Sequence, residues 1–347
     1  MNLYFPALIS FLATTLAVFP TMKVAKKFNL IDNPKLRPHP AHTQNRIVPR
    51  AGGLAVFIGI VVSILIFTPF EKTIGGILTS LLVLLLVGLL DDKYQNLSPY
   101  LRLLGQFIAA IMVVATGTGI QFITNPFGGI IYFTPQIASL LTIIWIVWVM
   151  NMINWSKGVD GQMPGIVTVA AFILGLLSLK LNLPYDPSQT NVAKLSFITA
   201  GSSLGLLIFN WHPAKIFPGF SGSTILGFMI AVLAILSGAK LATAGLVLLI
   251  PATDFAYTFL RRILEGKSPV WGDRGHLQHK LLEIGLSHQQ IALFYILVSV
   301  ILGATALSLS SSGKLFAALL VGTVTLGGIL WLNFFGELSK RRAPDNG

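Results

Sequence analysis

The amino-acid sequence predicts an all-α, polytopic integral membrane protein with about eleven transmembrane helices, and three observations carry that prediction. Hydrophobic residues make up 54% of the 347 and charged residues only 10%, with a mean hydropathy of +0.78, values outside the range of water-soluble domains. Apolar windows close to the ~20 residues needed to cross ~30 Å of hydrocarbon recur from end to end. The charges cluster mostly between those windows. Helices fit the windows because backbone groups in lipid must pair within their own segment, and no alternating strand pattern is present.

The windows run 3–20, 51–68, 74–90, 101–118, 136–152, 165–180, 193–210, 223–239, 241–258, 290–309 and 315–335. The first lacks a convincing cleavage site and runs into a basic loop, so it reads as a retained helix and not a signal peptide. The third ends on Asp91 and Asp92, the fifth is rich in Ile and Trp and enters a polar loop at Asn151, and the eighth is preceded by Gly219, Ser221 and Gly222. The ninth carries Asp254, the one strong candidate for a buried acid, and the eleventh is closed by Lys340, Arg341 and Arg342. No repeat or low-complexity linker divides the chain, so residues 1–347 read as one integral domain.

Lys and Arg concentrate in alternate loops, and positive loops stay in the cytoplasm. With the N-terminus outside and the C-terminus inside, only Lys72, Lys180, Lys194, Lys240 and Lys314 of the 24 Lys and Arg face outward. All six histidines fall inside, with Asp91, Asp92, Asp160 and Asp273. The expected location is therefore the cell membrane, multi-pass, with the reactive face in the cytoplasm. The net charge of +12 is spread over loops without an arginine-rich arm or nucleic-acid motif, so it points to anionic headgroups or a phosphorylated substrate and not to nucleic acid. The absence of cysteine excludes disulfides and thiolate metal sites.

Asp91 and Asp92 lie in LLVGLLDDKYQNLSPYLRLLGQ. Adjacent carboxylates at a membrane surface are costly unless hydrated, paired or bound to a cation, and acids at a helix C-terminus oppose its dipole. In MNMINWSKGVDGQMPG, Asn151 and Asn154 share a face if the helix continues, and Gly158 and Gly161 let the backbone turn around Asp160. FNWHPAKIFPGFSGS sets Lys215, Gly219, Ser221, Gly222 and Ser223 ahead of a helix whose free N–H groups suit an anion. RRILEGKSPVWGDRGHLQHKLLE gathers Arg261, Arg262, Lys267, Arg274 and Lys280 with His276 and His279, a set that suits a nucleotide diphosphate.

With these stretches and IVPRAGGLA, which holds Arg50, the chain resembles the polyprenyl-phosphate sugar-1-phosphate transferases of glycosyl transferase family 4. Five motifs in the family's order carry the resemblance, which covers most of the chain. It implies transfer of a sugar phosphate from a UDP-sugar to a polyprenyl phosphate, with UMP released. By the same resemblance Asp91, Asp92, Asp160, His276 and His279 are catalytic. Arg50, Asn151, Asn154, Lys157, Lys215, Ser221 and Arg274 bind substrate, and Asp91, Asp92 and Asp160 hold Mg²⁺. An N-acetylhexosamine is the implied sugar; members of the family can dimerise, and no residue here argues for or against a homodimer.

Two positions depart from the family pattern: Lys157 and Phe220 each stand where an aspartate is usual, and more mildly Gln278 replaces a histidine. The first two raise the local formal charge by three units. Three readings follow: an enzyme holding Mg²⁺ on the remaining carboxylates, an enzyme without a tightly held metal, and a relative that binds UDP-sugar or lipid phosphate without turnover. A transporter of about eleven helices is the rival from another class; its binding groups would lie near the bilayer midplane, whereas these lie at the span ends.

Overall fold

A computed structural model describes residues 4–34, 46–95, 97–180, 187–238, 240–268 and 275–342. The helices in chain order are α1 (Tyr4–Lys27), α2 (Gly52–Phe67), α3 (Lys72–Tyr94), α4 (Pro99–Val114), α5 (Pro135–Trp155), α6 (Gln162–Lys180), α7 (Pro187–Asn210), α8 (Gly219–Leu236), α9 (Leu241–Val247), α10 (Leu249–Leu264), α11 (Leu277–Glu283), α12 (His288–Ser308) and α13 (Ser311–Arg342). Eight of these (α1, α3, α5, α6, α7, α8, α12 and α13) are long and apolar enough to cross a membrane, and α2 and α4 are shorter apolar helices. The chain is thus a helical, polytopic membrane protein, and each expected apolar window but the ninth overlaps a single one of these helices.

The ninth window is the exception in shape, because α9 and α10 meet at an angle of 84°. Pro251 has no N–H to give the carbonyl of Val247, so the helical ladder fails there. Ser299 of α12 donates its hydroxyl to that carbonyl at 3.1 Å, which satisfies a group that lipid would leave unpaired. The bend turns α10 so that Asp254 and Thr258 reach the start of α11.

Helix α8 is the centre of the bundle, with 94% of its length buried, whereas α13 is only 11% buried and faces outward. Close approach around α8 depends on small residues, as is usual between membrane helices. A Cβ on Gly88 of α3 would collide with the backbone of Ser221. Gly88→Ala is therefore expected to cost about 1–3 kcal/mol through overpacking, read as a lower thermal midpoint in detergent, while Gly327→Ala, with open space around it, leaves the midpoint unchanged.

Among the described residues two short antiparallel strand pairs lie outside the helices: β1 (Ile31–Asp32) with β2 (Val48–Pro49), and β3 (Phe122–Thr124) with β4 (Ile130–Tyr132). The first positions Arg50. Gln95 Nε2 donates to Ile31 O at 2.6 Å, Phe217 N to Pro49 O at 2.8 Å, and Gly52 N to Phe217 O at 2.9 Å. The entry to α2 is thereby tied both to the end of α3 and to the segment before α8.

Candidate active site

Asp92, at the end of α3, closes the N-terminus of α8. Its Oδ1 accepts from Phe220 N at 2.6 Å and Arg50 Nε at 3.2 Å, and its Oδ2 from Ser221 N at 3.2 Å and Ser221 Oγ at 2.5 Å. Four bonds fill the lone-pair directions of a carboxylate. The local backbone permits this because Gly219 sits at φ +72°, with the carboxylate where a Cβ would stand. A negative charge at a helix N-terminus is also favoured by the helix dipole.

Asp91 is fully buried yet takes no aligned hydrogen bond. Charge alone holds it: Arg102 Nη2 lies 2.7 Å from Oδ1 and Arg50 Nη2 3.8 Å from Oδ2. A third cation, Lys157, donates to Asn154 Oδ1 at 2.6 Å and to Gly219 O at 3.3 Å. Ser223 Oγ donates to the same Asn154 oxygen at 2.8 Å. Burial lowers the pKa of Lys157 from 10.5 to about 7, Arg50 adds to the fall, and Asp92 opposes it.

Phe220 explains how these cations remain available. Its buried ring has Lys157 Nζ 5.7 Å and Arg102 Cζ 5.5 Å from its centroid, within cation–π reach. An aspartate at 220 would neutralise one of them. A phenyl face positions both without removing charge, so three cations stand against two carboxylates.

Asp160 belongs to a second cluster. His212 Nδ1 donates to its Oδ2 at 2.8 Å, Ala214 N to the same oxygen at 3.1 Å, and Arg46 Nη2 lies 3.4 Å away. Asp160 N donates to His288 Nδ1 at 3.3 Å, and the two histidine rings stack at 4.6 Å. Asn210 fixes the turn by accepting from Gly161 N at 3.0 Å and donating to Ile216 O at 2.9 Å.

The third cluster forms where α10 meets α11. His276 Nδ1 donates to Asp254 Oδ2 at 2.9 Å, and Leu277 N donates to Asp254 Oδ1 at 2.8 Å. Asp254 thus accepts from the first N–H of α11 and fixes the His276 tautomer, which leaves the lone pair on Nε2. The His276 ring packs edge-on to Trp155 at 4.9 Å, and His279 is buried 6.5 Å from it. Gln278 donates to Trp155 O at 2.9 Å, tying α11 to the end of α5. All three clusters contact residues 154–161, the end of α5 and the short turn into α6.

Most of the expected site residues are gathered in these clusters, and two stand apart. Asn151 is half-buried and pairs with Gln106, donating at 2.7 Å, and with Val147 O at 2.8 Å, so its amide ties α4 to α5. Lys215 is exposed between α7 and α8 and makes no ion pair among the described residues. Arg274 lies outside the described residues. Arg102, His212 and His288 carry no role in the sequence reading, which counts them only toward topology; the one signal for Arg102 is its place in the polar segment that opens with Asp91.

The model for glycosyl transferase family 4 matches residues 74–238. The chain is 34% identical over 315 residues, 88% of its length and 85% of the relative's, to a probable undecaprenyl-phosphate N-acetylglucosaminyl 1-phosphate transferase of Bacillus subtilis. It belongs to glycosyl transferase family 4. A second family member, the decaprenyl-phosphate N-acetylglucosaminephosphotransferase of Mycobacterium tuberculosis, is 29% identical over 94% of this chain and 86% of its own. The undecaprenyl-phosphate alpha-N-acetylglucosaminyl 1-phosphate transferase of Escherichia coli is 28% identical over 85% and 80%. The present chain is a membrane transferase of the same family.

The Mg²⁺ expected from the family pattern meets a poor fit at Asp91, Asp92 and Asp160. Mg²⁺ needs oxygen ligands in near-octahedral array. Asp92 has spent its lone pairs on α8 and Arg50, and Asp160 is held in the separate histidine cluster. Asn154 Oδ1 and Gly219 O, the neutral oxygens nearby, already receive the Lys157 ammonium. Only Asp91 is left, between two guanidiniums. Asp160, His212 and His288 do bring ligand-capable atoms within 4.8 Å of one another, but the hydrogen bonds just described engage all three without a cation.

For the third cluster, Asp254→Asn is expected to lower kcat by about 10²-fold, because the amide cannot accept from both His276 Nδ1 and Leu277 N and the imidazole loses its set tautomer. Steady-state rates with unchanged substrate KM would show it.

Proposed function

We propose that this chain transfers an N-acetylhexosamine 1-phosphate, N-acetylglucosamine first among them, from a UDP-sugar to undecaprenyl or another polyprenyl phosphate, releasing UMP and opening a cell-envelope glycan. The observation that carries the reading is the cluster of Arg50, Arg102 and Lys157 around Asp91 and Asp92, set where the ends of α3, α5 and α8 meet. The names of the relatives, all acting on prenyl phosphates with N-acetylglucosamine phosphate, support it.

In the reaction an oxygen of the lipid phosphate attacks the sugar-bearing β-phosphorus, the new P–O bond forms, and the bridging bond to the α-phosphate breaks, its electron pair leaving on UMP. Two anions must meet, so alignment and charge neutralisation supply most of the rate. Arg50, Arg102 and Lys157 serve that purpose. Asp91, free of hydrogen bonds, is the carboxylate able to take a proton from the lipid phosphate, while Asp92 holds α8 in place. His276, fixed by Asp254, faces the nucleotide phosphates.

For topology we propose eleven crossings: the eight long helices, α2, α4, and the bent α9–α10 pair as one. The N-terminus is then outside and the C-terminus inside, and the clusters fall on the cytoplasmic side, as the distribution of Lys and Arg supports. The test is UMP release by the purified protein in detergent with undecaprenyl phosphate and a panel of UDP-sugars. Release in micelles excludes a pure transporter; UDP-sugar binding without release from any donor would leave a non-catalytic relative instead.

A further inference from the structure

We propose that the transfer runs without a divalent cation, Lys157 standing with Arg50 and Arg102 in place of the metal to hold the diphosphate. This inference rests on the transferase reading above.

Four observations lead to it. The Lys157 ammonium donates to the oxygens of Asn154 and Gly219 at 2.6 and 3.3 Å, so these neutral oxygens beside Asp92 already have a cationic partner. Phe220 contributes no side-chain oxygen; its ring attracts Lys157 and Arg102 without adding a negative charge beside them. Asp92 has every lone pair engaged. Asp160, which the family pattern would lend to a metal, hydrogen-bonds His212 and Ala214 in another cluster. Three cations already outnumber Asp91 and Asp92, and a dication would add two further positive charges among them, which is unfavourable by Coulomb's law. Two phosphates arriving there need no further positive charge.

The bond changes are those of the proposed transfer: the lipid-phosphate oxygen bonds to the β-phosphorus, and the bridging oxygen leaves with UMP. The ammonium and guanidiniums hold the non-bridging oxygens and need gain or lose no proton. In this way charge-assisted donors do what a metal's Lewis acidity does elsewhere.

The experiment uses the full chain in detergent, with undecaprenyl phosphate and UDP-N-acetylglucosamine, in EDTA and in Mg²⁺, together with the affinity for UDP under both conditions. The expected result is turnover within about twofold in the two media, and a UDP affinity indifferent to EDTA that weakens at least tenfold in Lys157→Ala. A tenfold or greater loss of rate or UDP affinity in EDTA, restored by Mg²⁺, overturns the proposal. Failure of turnover in both media with this donor and with the panel of UDP-sugars above defeats the transferase reading instead, and the UDP affinities then decide the cation question by themselves. Lys157→Asp combined with Phe220→Asp is expected to become Mg²⁺-dependent; a folded double variant still indifferent to EDTA would overturn the assignment of those two positions. The wild-type comparison stands whether or not that variant folds.

Discussion

Lys157→Met is expected to lower kcat/KM by about 10²- to 10³-fold, the range for removing one preorganised charge from a reacting group, with the folded yield unchanged. Methionine keeps most of the length and the apolar stem of lysine, and what is lost is the charge, with its bonds to Asn154 and Gly219 and its contact with the Phe220 ring. Added Mg²⁺ should not rescue the rate, since no oxygen is created in exchange. The wild-type pH profile carries the same information. Lys157 is faced by Arg50 and Arg102 on one side of the charge balance and by Asp91 and Asp92 on the other, and its pKa lies at about 7. The ammonium is therefore present below that pH and lost above it, so kcat/KM, which reports the free enzyme, should fall as pH rises through about 7. Bound phosphates raise the pKa, so the fall in kcat should come at higher pH. In Lys157→Arg, whose guanidinium stays charged, the alkaline fall should disappear.

Asp92→Ala is expected to destabilise the protein by about 3 kcal/mol or more, because removing one partner of a buried ion pair leaves the other charge uncompensated. It would also leave Phe220 N, Ser221 N and Ser221 Oγ without an acceptor at the start of the most buried helix. The figure sits at the low end of the range for such pairs because Arg50 keeps Asp91 at 3.8 Å. Asp91→Asn should behave differently. It breaks no aligned hydrogen bond and leaves the first N–H groups of α8 satisfied, while removing the charge that faces Arg102 at 2.7 Å, so the thermal midpoint in detergent should fall by less than in Asp92→Ala while turnover is abolished. Comparing midpoints and rates of the two variants separates the acid that builds the site from the acid that works in it; equal midpoints would contradict the division of labour.

The helices were legible because a bilayer imposes one length and one polarity on every span, and a window of apolar residues is enough to see it. The bend at Val247 and Leu249 was hidden inside the ninth window, although Pro251 was its visible cause. The hydroxyl that makes the bend tolerable comes from Ser299, 52 residues away, and no local pattern announces such a partner. The candidate site was legible as residue types and only partly as groupings. Asp91 and Asp92 are adjacent in sequence and yet have different surroundings, because successive residues on a helix face different neighbours. Asp160 read as a companion of that pair and is instead surrounded by His212, Ala214 and His288, which arrive from later elements. Lys157 and Phe220 were each visible as a departure from the family pattern; that they lie in contact, with Arg102 on the same ring, required the fold.

Which bond breaks is read directly by labelling the β-phosphate. With undecaprenyl phosphate and UDP-N-acetylglucosamine carrying ³²P at the β-phosphate, the account predicts that label moves into the lipid fraction as a sugar-bearing diphosphate and that the released UMP is unlabelled. Label remaining in water-soluble UDP while the sugar alone reaches the lipid would contradict it.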